Sequence, residues 1–394
     1  MLRFLKGRKM TKISESMLIL AVSWLSLAAD AEPSNKIKQR LRGYFKTNTE
    51  LELMSDERIS SLVNNSGSLG VGIGGLKSQI TVGSTQIFVK RIPLTNMERE
   101  FANMRSTANV FHLPLYYQYG VGSRGFGAWR ELAAHIKTTN WVLFEENTNF
   151  PLLYHWRVIP KTPQHKPNPK EKEETDKYVQ YWGSSKEIRK KEEATLEASM
   201  ELLLFIEYIP TTLWKWLESG WRETKKLEHF EEQIVSTISF MNQNGLYHFD
   251  SHFHNILTDG ETLYFSDLGL ASDLEFSLSK EEKQFLEHHK NYDLARSMLD
   301  FCVGMYRSMS LASGKADKIE RSTVRQFLRD SKNMSLPPTV SSMVRRWGPT
   351  ALIMDDFFDS LAGDNSKSAP YPENEIGKAV STALKHKSEH ANDL

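Results

Sequence analysis

The chain has 394 residues, 40% hydrophobic and 25% charged, which is room for one large two-lobed domain or two ordinary ones and excludes a wholly disordered or fibrous protein. Fifty Lys and Arg against 49 Asp and Glu leave a formal charge of +1, which argues against a protein held to nucleic acid by a general positive field, so no nucleic-acid partner is expected. Cys302 is the single cysteine, which excludes internal disulfides and Cys-rich zinc sites.

At the N-terminus, Arg3, Lys6, Arg8, Lys9 and Lys12 precede the apolar run 17–29, and Ala29-Asp30-Ala31 offers small residues at its end. That is the layout of a secretory signal. An amphipathic first helix fits as well, because Ser14, Glu15, Ser23 and Ser26 interrupt the run while Met17, Leu20, Ala21, Trp24, Leu25 and Ala28 form a stripe. The run is too short to span a bilayer, and no stable membrane span is expected. Residues 1–60 are therefore assigned to an N-terminal helical extension.

Residues 69–92 are rich in Gly and β-branched side chains and predict two or three short strands. A helix-like stretch at 128–137 follows Gly120, Gly122, Gly125 and Gly127. Lys and Glu alternate densely within 160–191, predicting a solvated insertion, most simply a surface loop. The run 201–210 (ELLLFIEYIP) predicts a buried strand ended by proline. Phe230, Ile234, Val235, Ile238 and Met241 recur at helical spacing, with Gly245 where a C-terminal cap belongs, and Trp214, Trp216 and Leu217 suit the core of a helix before them. Beyond Asp293 the pattern is helical, with breaks at Leu336-Pro337-Pro338 and Gly363-Asp364. Strands first and helices later predict an α+β architecture of two lobes, 61–210 and 211–394, with a cleft between them.

The stretch 246–271 (LYHFDSHFHNILTDGETLYFSDLGLA) carries the chemistry. Asp259-Gly260 lies between two strand-like runs and predicts a tight hairpin with positive φ at both central residues. Such a hairpin brings His248, Asp250 and Asn255 toward Asp267 and the Leu268-Gly269 that follows it. Two carboxylates and a carboxamide are hard oxygen donors that suit Mg²⁺, which is usually shared with substrate phosphates.

This stretch resembles the catalytic core of the protein-kinase-like superfamily, on His248-x-Asp250, Asn255 and Asp267-Leu268-Gly269. Asp250-x-His252-x-x-Asn255 is closest to the aminoglycoside phosphotransferases and atypical bacterial protein-kinase-like proteins, and Tyr292-Asp293-Leu294-Ala295 is similar to the Asp-Leu-Ala that follows the metal loop there. The resemblance implies a small β-rich N-lobe, a mostly helical C-lobe and an ATP- and Mg²⁺-dependent kinase. Gly70, Gly72, Gly74 and Gly75 would then cover the nucleotide, Lys90 would contact its phosphates, and the backbone around Glu207, Tyr208 and Ile209 would hold adenine. Asp250 would be the catalytic base, and Asn255 and Asp267 would hold the metal. Glu131 is the expected partner of Lys90, with Glu98 and Glu100 as alternatives on a shorter helix. No Ala-Pro-Glu follows Asp267, and Asp293 comes too soon for a long phosphorylatable segment. The acceptor is a hydroxyl of a protein or of a small molecule, and His252 and His254 are loop-packing residues or substrate contacts. A need for ATP points to the cytoplasm rather than to export. Two other readings compete: a pseudokinase or nucleotide-binding regulatory module, and a metallohydrolase built on His248, Asp250, His252 and His254 along one strand face.

Overall fold

A computed structural model describes residues 35–66, 68–72, 75–161, 167–313, 320–329, 336–363 and 367–391. The apolar run at 17–29 and Gly74 lie outside the described residues. The chain divides into two units, residues 1–43 and 44–394. The described part of the first is the opening of helix α1 (Asn35–Glu52), and all that follows concerns the second.

The second unit is α+β. After α2 (Asp56–Asn64), five antiparallel strands form a sheet in the order β1-β2-β3-β5-β4, built from β1 (Ser68–Gly72), β2 (Gly75–Val82), β3 (Thr85–Leu94), β4 (Leu153–Pro160) and β5 (Met200–Glu207). A two-residue turn at Gly83-Ser84, with Gly83 at φ +56°, joins β2 to β3 and fixes their register from Val82 opposite Thr85 to Lys77 opposite Lys90. The apolar centre of β5 is buried on both faces. Leu202, Leu204 and Ile206 pack with Ala128, Trp129 and Leu132 of helix α4 (Ala128–Leu143), and α2 meets β2 and β4. A short helix α3 (Asn96–Arg99) precedes α4, and its Glu98 does two capping jobs. It closes a capping box with Thr95, and its Oε1 accepts the Ala128 N–H at 2.8 Å, which supplies the N-terminal cap that Gly127 has no side chain to make.

The charged insertion is not the solvated loop that its composition predicts. It folds into α5 (Pro169–Tyr181), which starts with an Asn168–Glu171 capping box and proline at N1, and α6 (Lys186–Leu196), capped by Ser185. Val179, Trp182 and Ile188 lie on the inner faces and form one core with Phe111, Leu113, Tyr117 and Phe126. Most of the alternating charge lies on the outer faces, while Lys191 and Glu192 of α6 are buried and Glu192 pairs with Lys191 and Arg124. The aromatic and aliphatic residues recur at helical spacing within the charge, and their burial drives the packing.

The rest is mostly helical. A strand β6 (Thr211–Thr212), helix α7 (Leu213–Gly220) and the long α8 (Thr224–Gln243) come first. Of the residues expected in its core, Leu217 is buried beside Leu213, whereas Trp214 and Trp216 are half-buried, Trp216 meeting Phe230 edge-on at 4.7 Å. Gly245 follows the end of α8 at φ +80°, the left-handed position its sequence predicts. Short strands β7 (Leu246–Tyr247), β8 (Ile256–Thr258), β9 (Leu263–Phe265) and β10 (Ser272–Asp273) frame the 246–273 segment. The β8–β9 turn is wider than predicted: Thr258 pairs with Leu263, Gly260 alone takes positive φ, and the Asp259 carboxylate accepts the N–H groups of Glu261 and Thr262. Among the described residues five helices follow: α9 (Lys280–His288), the buried α10 (Tyr292–Ala312), α11 (Arg321–Arg329), α12 (Pro338–Gly363) and α13 (Glu373–Ala391). Among the described residues no helix is long and apolar enough to cross a membrane.

Candidate active site

Lys90 lies on the sheet's middle strand, β3, and is 2% exposed. Its Nζ stands 2.6 Å from Glu131 Oε1 and 2.6 Å from Asp267 Oδ1. A buried ammonium is tolerable when paired and hydrogen-bonded. Burial pulls its pKa down, but the two carboxylates outweigh burial and raise it, so Lys90 is charged. Burial raises Glu131, with Lys90 opposing. Asp267 is held well below the usual carboxylate range: Lys90 and Lys77 more than offset its burial. Glu131 is therefore the partner of Lys90. Glu98 caps α4, the helix that carries Glu131, and Glu100 is exposed.

Asp267 takes a left-handed backbone, φ +58° and ψ 67°, before a single 3₁₀ turn at Leu268–Leu270. Gly269 is packed beneath it. A Cβ there would lie 3.1 Å from Glu131 Oε2 and 3.5 Å from both Asp267 Oδ1 and Lys90 Nζ. Glycine thus lets the chain pass close under the three charged groups.

On the neighbouring loop, Asn255 donates through Nδ2 to Asp250 Oδ2 at 2.8 Å and to the Asp250 carbonyl at 3.1 Å, which fixes its amide orientation and leaves Oδ1 as an acceptor. The Asn255 carbonyl accepts the Ser266 N–H and hydroxyl, at 2.9 and 2.7 Å, which ties this loop to the residue before Asp267. Burial and the nearby Asp267 charge push the Asp250 carboxyl up to about 7. Its side chain keeps 21% exposure, and His252 Nε2 lies 3.5 Å from its Oδ1. Burial and Arg296 pull His252 down to about 4, so that imidazole is neutral at pH 7.

Helix α10 supplies the support. The Asp293 carboxylate accepts the N–H groups of His248 at 2.7 Å and Phe249 at 2.8 Å, while Asp300 accepts that of Phe253 at 2.8 Å. Phe249 sits at φ +59°, unusual for a bulky residue, and these carboxylate bonds hold the strained turn. Asp293→Asn places an amide N–H against one backbone donor. Each hydrogen bond to a charged acceptor contributes roughly 1.5–3 kcal/mol, so the variant is expected to lose about 2–4 kcal/mol in urea denaturation. Its position could be anticipated from Asp-Leu-Ala; its grip on the loop could not.

His248 is fully buried, with Nε2 against the Ser266 carbonyl at 3.0 Å and Nδ1 accepting the Asp250 N–H at 3.2 Å. His254 stacks on Trp214. With both His248 nitrogens engaged, the alternating histidines do not converge, and among the described residues no three His, Cys, Asp or Glu are placed to hold a metal ion. The metallohydrolase geometry is absent there.

The remaining predicted positions lie on the sheet. Gly70 and Gly72 are in β1, and Gly72 pairs with Gly75 at the start of β2. Glu207 ends β5, where its N–H reaches the Leu152 carbonyl and its carboxylate accepts the Leu152 N–H, and half-buried Tyr208 and Ile209 follow. Two features were not anticipated. Lys77 Nζ stands 3.7 Å from Asp267 Oδ2. The segment before α4 presses on the site as well: a Cβ at Gly120 would lie 2.5 Å from Asp250 Oδ1, and Gln118 Nε2 bonds the Leu270 carbonyl. Tyr181 and Tyr178 of the insertion donate to the Val121 and Gly122 carbonyls at 2.8 and 3.1 Å. The Gly83-Ser84 turn gives a register from which Lys77 follows; no local pattern marks Gly120.

No family model matches the chain, and no curated protein matches it either.

Proposed function

We propose that the chain is an ATP-dependent phosphotransferase of the protein-kinase-like kind, which moves the γ-phosphate to a hydroxyl acceptor. On this reading the five-stranded sheet with α4 is the small lobe of a bilobal fold, and the helical remainder is the large one. The observation that carries it is Lys90, buried between Glu131 and Asp267 at 2.6 Å from each. Three residues from a strand, a helix and a turn converge there, at a cost in desolvation that a nearby phosphate tail would justify.

The residues then divide the work. Lys90 contacts the phosphate tail, Gly70 and Gly72 of β1 and Gly75 of β2 cover it, and the backbone at Glu207, Tyr208 and Ile209 meets adenine. Asp267, kept ionised, and Asn255, with its Oδ1 left as an acceptor, are hard oxygen donors that fit Mg²⁺. When bound, that ion neutralises charge on the phosphate oxygens. Asp250 orients the acceptor hydroxyl and takes its proton as the acceptor oxygen bonds to γ-phosphorus and the bond to ADP breaks. Catalysis here is positioning and charge stabilisation.

The test is calorimetry of the full chain with ATP and Mg²⁺, followed by transfer from γ-labelled ATP to itself, generic proteins, amino sugars and simple alcohols. Binding with label transfer is the expected result. Binding without transfer to any acceptor assigns a nucleotide-binding regulatory module instead. Absence of binding removes the proposal.

A further inference from the structure

We infer that Lys77 is a second phosphate-contacting cation, which meets the outer part of the nucleotide's polyphosphate tail beside Lys90. This rests on the nucleotide-site reading and adds a positioning residue to it.

The first ground is register. Lys77 on β2 is the direct cross-strand partner of Lys90 on β3. Like charges directly opposite in an antiparallel pair are destabilising, so two lysines there need a shared anion. Asp267 is that anion in this structure, with Oδ1 at 2.6 Å from Lys90 and Oδ2 at 3.7 Å from Lys77.

The second is saturation. Lys90 is 2% exposed, paired with carboxylates on two sides and hydrogen-bonded to one of them, Asp267. Lys77 keeps 31% side-chain exposure, and 3.7 Å is too long for a hydrogen bond. The ammonium free to meet an incoming anion is therefore Lys77, which stands two residues after Gly75 and is the cross-strand partner of Gly70 in β1.

The third is charge. Lys77 and Lys90 balance Glu131 and Asp267, so the four groups together are neutral. Without Lys77 the cluster carries one net negative charge where a polyanion has to sit.

The experiment titrates the full-length wild type, Lys77→Met and Lys77→Arg with ATP·Mg²⁺, ADP·Mg²⁺ and adenosine. Lys77→Met is expected to bind ATP at least about tenfold more weakly, the size of one charge-assisted hydrogen bond, with adenosine affinity unchanged and Lys77→Arg near wild type. A larger loss for ATP than for ADP places Lys77 on the γ-phosphate; equal losses place it on the β-phosphate. ATP affinity in Lys77→Met equal to wild type would overturn the inference. An equal loss for ATP and adenosine overturns it too, because that reports damage to the whole pocket. A wild type that binds none of the three sinks the nucleotide-site reading itself.

Discussion

Asp250→Asn is expected to abolish phosphoryl transfer and to stabilise the fold. The carboxyl is pushed up to about 7, first by burial and then by the Asp267 charge, so the fold disfavours the ionised form that a base requires. A raised carboxylate weakens the fold above its folded pKa and has no effect below its ordinary value of 3.8. The variant's stability advantage should thus appear as pH rises from about 4 to 7 and vanish in acid. Because the side chain keeps 21% exposure and the Asn255 bond, about 1–3 kcal/mol is expected at pH 8 rather than the whole shift. Catalysis runs the other way: wild-type kcat/KM should fall below about pH 7 as the base is protonated. Denaturant midpoints against pH, with label transfer on the same preparations, test both halves. A variant that is less stable at pH 8, or that keeps wild-type turnover, would contradict the assignment of Asp250 as a partly desolvated base.

Glu231→Ala should give the largest loss of stability in the helical part. This carboxylate on α8 is 1% exposed; its Oε1 accepts Arg346 Nε at 3.1 Å, and Arg346 Nη2 donates to both oxygens at 2.7 Å. Trp347 Nε1 donates to it as well, so two successive residues of α12 end on one side chain of α8. Removing it leaves a guanidinium and an indole N–H largely buried without their acceptor, which costs about 3–5 kcal/mol. Urea denaturation measures this directly. Pairing Glu231→Leu with Arg346→Met should recover most of the loss, since the stranded charge then goes too.

The α+β class was legible because each element is locally consistent: the apolar run of β5, the helical spacing of α8 with Gly245 beyond it, and the glycine and β-branched stretch of β1 to β3. At the site, the resemblance to the kinase-like core implied that Lys90 would meet Asp267 and a helix glutamate, Glu131 ahead of Glu98 and Glu100, and that Asp250 would lie near Asn255. Two things were hidden. The 160–191 insertion is dominated in composition by its outer faces, and charge masked the Tyr178, Val179, Trp182 and Ile188 stripe that decides its packing. The contact of Gly120 with Asp250 depends on tertiary packing across the chain, which no local period records.

That contact gives α5 and α6 a mechanical part. Tyr178 and Tyr181 grip two successive peptide carbonyls beside Gly120, and Gln118 grips Leu270 just past Gly269. Excising the highly charged hairpin would therefore not be a harmless trimming of the periphery. It would slacken a backbone brace that leans on Asp250 at one end and on the turn after Asp267 at the other.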